Sequence, residues 1–139
     1  MKDCIFCKII DQEIPSHVIY EDEHTLAFLD ISQTTKGHTL IIPKKHRIDI
    51  FEMEDTLMEK VHSIIPKIAS ALKDTFECSG MNIVNNNGKK AGQTVFHYHV
   101  HLIPRYGKDQ FGIKFANNMN DYDAEKLATL KEKIKENLQ

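Results

Sequence analysis

The stretch VFHYHVHLIPRYG, residues 95–107, constrains the fold of this chain more than any other. Histidines stand at 97, 99 and 101, and Phe96, Tyr98, Val100 and Leu102 fill the alternate positions. Such alternation suits an extended strand, whose successive side chains point to opposite faces at roughly 3.3 Å of rise per residue. The spacing predicts a line of imidazoles on one face and an aromatic and aliphatic row packed on the other. A strand that serves packing alone has no use for three titratable rings in series. The neutral imidazole is a nucleophile near pH 7 and the commonest metal ligand, so the run predicts chemistry.

The first half of the chain reads as further extended pieces at 17–20, 25–29 and 38–42, with turns at 21–23 and 34–37. Pro43 ends the third piece, having no N–H to give to a ladder. Residues 55–76 predict a long helix. Asp55 is its N-cap, and Leu57, Val61, Ile64, Ile65, Ile68, Leu72 and Phe76 recur at helical spacing. Pro66 interrupts that pattern and predicts a kink. His62 reads as a helix-surface residue and Cys78 as a buried apolar one. Beyond Gly80 come a strand at 81–85, a polar loop at 86–94 and the histidine strand, closed by Pro104. A second amphipathic helix is predicted over about 124–138, with Leu127, Leu130, Ile134 and Leu138 on one stripe. Together these make an α+β fold: a five-stranded antiparallel sheet with helices on one side, the long helix packed on it and the second at the C-terminus. With no repeat or linker, residues 1–139 read as a single domain.

Charge and cysteine usage exclude several functions. Eighteen Lys and Arg against 20 Asp and Glu leave a net charge of −2, so no strong field favours nucleic acid or a membrane surface. The N-terminal MKDCIFCKII has no apolar run long enough for a signal peptide, and no stretch elsewhere spans a bilayer. Three cysteines, an odd number, argue against a disulfide framework and predict a reducing cytoplasm.

The loop before the histidine strand narrows the chemistry. Gly88 and Gly92 let the backbone approach a ligand and present N–H groups to an anion, and Asn86, Gln93 and Thr94 add neutral hydrogen-bonding groups. Alone this is a hairpin turn; beside a row of imidazoles it suits a phosphate. His38 and His46 flank the strand at 38–42, and each taken singly reads as a surface residue. Cys4 and Cys7 form a C-x-x-C, either a redox pair or half of a tetrahedral zinc site. The redox reading wants a thioredoxin-like βαβ context that this chain lacks. The zinc reading wants two more ligands, which histidines can supply.

HYHVHLI at 97–103 resembles the signature of the histidine triad family of nucleotide hydrolases and transferases. The segments CIFCKIIDQEIPSHVIYEDEHTLAFLDISQTTKGHTLIIPKKH and NNNGKKAGQTVFHYHVHLIPRYG resemble its Hint branch, the nucleoside phosphoramidases. The resemblance covers about residues 4–107; the tail at 108–139 is longer than in the shortest members. It implies that His99 attacks the α-phosphorus of an adenylated purine nucleotide, and that water then hydrolyses the nucleotidyl-histidine to AMP. It implies that His101 contacts the phosphoryl oxygens or the leaving group and that His38 orients the others. By the same resemblance Asn86, Gly92, Gln93 and Thr94 contact phosphate and leaving group. Asp30 holds the ribose hydroxyls, and Phe6, Ile9 and Phe28 form the slot for the base. Cys4, Cys7, His46 and His97 would hold a structural zinc, with no organic cofactor. Family members pair through the sheet and the long helix into homodimers with one continuous ten-stranded sheet, and the same is expected here.

Three other functions compete. Dinucleoside polyphosphate hydrolysis is the nearest variant, and a nucleotide-binding regulatory module is another class. The third is a hydrolase whose catalytic zinc is shared by His97, His99 and His101. At the strand rise those rings spread over about 13 Å, which makes convergence on one ion awkward.

Overall fold

The structure, a computed structural model, describes residues 3–138. Five strands form one antiparallel sheet: β1 (Val18–Glu21), β2 (Thr25–Leu29), β3 (Thr39–Pro43), β4 (Gly80–Val84) and β5 (Val100–Arg105). Their spatial order is β1-β2-β3-β5-β4. The helices are α1 (Ile5–Ile10), α2 (Asp55–Ser63), α3 (Ile65–Phe76) and α4 (Ala124–Asn137). The predicted α+β class and five-stranded sheet are the observed ones. None of the described helices is long and apolar enough to cross a membrane.

TLAFL and TLIIP are continuous apolar runs because both faces of β2 and β3 are covered. Ala27 and Ile41 face α2 and α3 in a core with Val61, Ile65, Ile68, Leu72, Tyr98, Val100 and Leu102. Leu26, Phe28, Leu40 and Ile42 face the other way and pack with Phe6 of α1. Each Val, Leu, Ile or Phe side chain among them contributes about 1.5–3 kcal/mol of transfer free energy, so both faces hold the sheet. Helices therefore lie on both sides of the sheet and not on one. The second cover, α1, has 6 residues, too few for a helical period to show in the sequence.

The long helix is two helices. Pro66 lies in the first turn of α3, where its missing N–H leaves no bond unmade, and the chain breaks at Ile64. The N-cap of α2 is Glu54 and not Asp55, and no side chain caps the helix, because the Glu54 carboxylate is held by Arg47. Asp55 sits inside the first turn, its charge against the positive end of the dipole. His62 is half-buried rather than free on the surface, its Nε2 2.8 Å from the Tyr98 hydroxyl.

β5 begins at Val100, so His101 alone of the three histidines lies in the strand. His97 and His99 lie in an extended lead-in, where the Tyr98 N–H donates to the Arg47 carbonyl at 2.6 Å. Pro104 does not close the strand; it pairs with Met81 one residue before the end. The alternation holds through Tyr98, Val100 and Leu102, all buried, and fails at Phe96, which is exposed. Gly37 turns the chain into His38 with φ +93°, and a Cβ there would meet the Phe76 ring at 2.9 Å. α4 is amphipathic as predicted but buries no residue.

Candidate functional site

Strand register brings Asp30, His38 and His101 to one face. Leu29 pairs with Thr39, and the Asp30 N–H donates to the His38 carbonyl at 3.0 Å, extending the β2–β3 ladder. Leu40 pairs with His101. With a side-chain period of two, Phe28 and Asp30, His38 and Leu40, and His101 all face α1. His38 Nε2 lies 2.9 Å from His101 Nδ1 and 3.7 Å from Asp30 Oδ2. The His99 and His101 rings are 4.9 Å apart, and Phe6 of α1 stands edge-on to His99 at 5.2 Å.

Hydrogen-bond partners assign the tautomers. The Thr34 N–H donates to His38 Nδ1 at 3.3 Å, so His38 carries its hydrogen on Nε2 and donates it to His101 Nδ1. His101 therefore carries its own hydrogen on Nε2. His99 donates Nδ1–H to the His97 carbonyl at 2.7 Å, which leaves Nε2 as a bare lone pair. His97 is the reverse: its Nε2–H donates to the Pro43 carbonyl at 2.8 Å, and Nδ1 is bare.

Burial keeps these rings neutral. It pushes His101 down to about 4, helped by the neighbouring His99 and His38, and it pushes His97 down to about 4 as well. His99 and His38 are lowered by burial too, against the pull of Asp30. Burial alone would raise the Asp30 carboxyl. The Ser32 hydroxyl and amide, at 2.6 and 2.8 Å, outweigh that and hold it below its ordinary value.

A second group lies on the other side of the His97 ring. Its Nδ1 is 3.3 Å from Cys4 Sγ, 3.6 Å from Cys7 Sγ and 3.2 Å from His46 Nδ1. The Cys7 N–H donates to Cys4 Sγ at 3.4 Å, which turns the C-x-x-C back on itself at the start of α1. All four donor atoms lie within 4.8 Å of one another. Burial, together with Cys4, raises the Cys7 thiol. Two sulfurs and two imidazole nitrogens, with a backbone carbonyl fixing the His97 tautomer, are the donor set that suits a tetrahedral divalent ion. His97 thus parts from His99 and His101, and no single ion is shared by the three.

The loop does different work from that predicted. The N–H groups of Ala91, Gly92 and Gln93 donate to loop carbonyls, and Gly88 N–H donates to Gln93 Oε1 at 2.8 Å. Gly88 and Gly92 hold φ of +92° and +93°, so the glycines close the turn and their N–H groups are not offered to an anion. Gln93 is buried, and its amide donates to the Ile48 and Val95 carbonyls at 2.7 and 3.0 Å. In this arrangement its side chain clamps the loop, both amide hydrogens are spent on backbone, and one lone pair of Oε1 is left for a ligand. Asn86 packs under Gly92, and Thr94 is exposed at the mouth of a cavity shared with Cys4 and His46. Phe6 and Phe28 meet edge to face at 5.5 Å with Ile9 beside them.

Asn85 is the residue that sequence reasoning missed: its amide donates to the His99 carbonyl at 2.9 Å. Three asparagines follow β4, and nothing local says which one reaches the histidines. Asn87 supports Asn85 at 2.6 Å and accepts from Ile50 N–H at 2.7 Å.

Residues 11–108 match the model of the HIT domain. A solved HIT-family protein from Bacillus subtilis superposes with a TM-score of 0.96 at 54% identity, covering 99% of this chain and 98% of that one. An adenosine 5′-monophosphoramidase of Candida albicans is 40% identical over 97% of this chain and 91% of its own length. A zinc-bound histidine triad family protein from Mycobacterium smegmatis superposes with a TM-score of 0.75 at 36% identity, covering 86% and 87% of the two chains.

Proposed function

The chain belongs to the HIT-domain family of nucleotide hydrolases, in its Hint-like branch, and we propose that it cleaves adenosine 5′-phosphoramidates to AMP through a nucleotidyl-His99 intermediate. The observation that carries this is the His99 tautomer. Its Nδ1–H is spent on the His97 carbonyl, so Nε2 is bare beside His101 and the Asp30 face.

His99 Nε2 forms a bond to the α-phosphorus as the P–N bond breaks. The leaving nitrogen takes the bonding pair and a proton from solvent and leaves as the amine. The imidazole then carries a positive charge, which the His97 carbonyl meets at Nδ1. His101 Nε2–H is placed to donate to a phosphoryl oxygen as negative charge builds, while His38 fixes its tautomer from behind. Water next attacks phosphorus, the P–Nε2 bond breaks, and the ring recovers its lone pair as AMP leaves with the displaced proton. Asp30 accepts from the ribose diol, and Phe6, Ile9 and Phe28 form the floor of the base slot. Asn86 and Thr94 remain available to the phosphate and leaving group. In this reading Gly92 and Gln93 shape the loop.

Cys4, Cys7, His46 and His97 would hold zinc as a closed four-ligand set. Bound there, the ion ties α1 to the lead-in of β5. The zinc-bound relative supports this reading. A homodimer is proposed through β4, an edge strand whose Ile83 is exposed.

Hydrolysis of an adenosine 5′-phosphoramidate and of a dinucleoside polyphosphate, by wild type and His99→Ala, tests the reading. The expected result is faster turnover of the phosphoramidate and a loss of about 10⁴-fold in the variant. Equal rates for wild type and variant would remove His99 as nucleophile. Preference for the polyphosphate would move the chain to the neighbouring reaction.

A further inference from the structure

We propose that Asp30, His38 and His101 form a second divalent-cation site, separate from the Cys4–Cys7–His46–His97 group, whose occupation shuts the nucleotide site. Asp30 Oδ1 is taken by the Ser32 amide and hydroxyl, and Oδ2 faces His38 Nε2 at 3.7 Å. His38 Nε2 lies 2.9 Å from His101 Nδ1, and the three donor atoms all fall within 4.8 Å of one another. In a tetrahedral site with metal–ligand bonds of about 2.0–2.2 Å the ligands stand about 3.4 Å apart, so the 2.9 and 3.7 Å spacings bracket what a zinc-class ion needs. The His38 side chain is only 4% exposed and that of Asp30 20%, which holds the donors in place and leaves an approach from the Asp30 side.

Binding changes one proton position. The hydrogen between His38 Nε2 and His101 Nδ1 must go, and it moves to His38 Nδ1 as the cation takes Nε2. That breaks the Thr34 N–H contact, which at 3.3 Å is a long bond. This loss, and three ligands in place of four, make the site the weaker of the two. The fourth position is open to water. An ion held on Asp30 Oδ2 takes from a nucleotide the oxygen that would accept from the ribose diol; this half of the inference rests on the proposed function, whereas binding itself does not.

Cobalt(II) titration of the full-length protein, followed by absorption and by metal counted per chain, tests it. Two equivalents are expected. The first shows thiolate charge transfer; the weaker second shows only d–d bands of an oxygen and nitrogen site. His101→Ala should abolish the second, Asp30→Asn should weaken it by at least about tenfold, and both should keep the thiolate spectrum, which reports an intact fold. Cys4→Ser with Cys7→Ser should do the converse. A single equivalent in wild type, or a second one that survives His101→Ala, would overturn the site. AMP should raise the cobalt needed for the second equivalent alone. If it does not while the stoichiometry holds, the site stands and the shutting of the nucleotide pocket is overturned.

Discussion

His97 and His99 stand two residues apart on one extended segment, both buried, and present opposite nitrogens. His97 gives Nε2–H to the Pro43 carbonyl and turns Nδ1 to Cys4, Cys7 and His46. His99 gives Nδ1–H to the His97 carbonyl and keeps Nε2 bare. Sequence and burial are alike at the two positions; the carbonyl that each ring finds is not. That acceptor decides whether the imidazole is disposed to be a ligand or a nucleophile. The two roles are coupled as well, because the carbonyl that aligns His99 belongs to His97.

The comparison predicts separable losses, and the largest falls on stability at the His97 end. Cys7→Ala opens the four-donor group without touching His99. With zinc present it should cost on the order of 3 kcal/mol or more, a fall in Tm of about 10 °C. A thermal melt with and without a strong chelator checks this: the chelator should lower the wild-type Tm and leave the variant unmoved. A Tm that ignores both changes would mean that the group carries no structural ion.

Acid separates the two ends next. The proposed nucleophile works as its free base, and burial lowers His99 and pushes His101 down to about 4, so activity should outlast an ordinary imidazole. At pH 5.5 kcat should keep more of its neutral-pH value than the tenth or so that a group titrating at about 6.5 would keep. Stability runs the other way. The unfolded chain takes up protons near 6.5 while the folded rings wait until about 4, so stability is full above that window and drains as pH falls through it. An acid limb of kcat at 6.5 would show that His99 is not held as a buried neutral ring.

A finer cut tests the carbonyl argument. Asn85→Ala removes the amide that holds the His99 carbonyl and leaves every imidazole in place. One such bond contributes about 1 kcal/mol, so kcat should fall about fivefold, with KM and the metal group unchanged. An equal loss in kcat and rise in KM would make Asn85 part of nucleotide binding.

What the sequence discloses and what it hides divide along the same line. Alternation at 98–102 and the apolar runs of β2 and β3 are local, and from them the sheet follows; the place of His38 beside His101 comes only with the family resemblance. The bonds that assign tasks are long-range side chain to backbone contacts: His97 to Pro43 across 54 residues, Gln93 to Ile48 across 45, Thr35 to Pro104 across 69. No local period records them. Gln93 therefore reads as a ligand contact although its amide is committed to backbone, and Asn85 hides among three asparagines. Pro66 misleads differently: a break between two helices and a kink within one leave the same apolar spacing.

The smallest effect is expected at the opposite extreme of commitment, where the tail contrasts with both histidines. α4 buries nothing, and Leu127, Leu130 and Ile134 lie exposed along one stripe. The chain before it is anchored, since Arg105 holds Asp109 at 2.9 Å and the Phe111 carbonyl at 2.6 Å. Deleting residues 118–139 therefore leaves those contacts and both histidine environments whole. At micromolar concentration the Tm should move by no more than about 2 °C, the scale of a surface change. Phosphoramidate turnover and the cobalt thiolate spectrum should stay as in wild type. A larger, concentration-dependent fall in Tm would mean that the stripe is buried against a second copy. The tail would then share in the stability that this single-chain structure assigns to the sheet and its two covers.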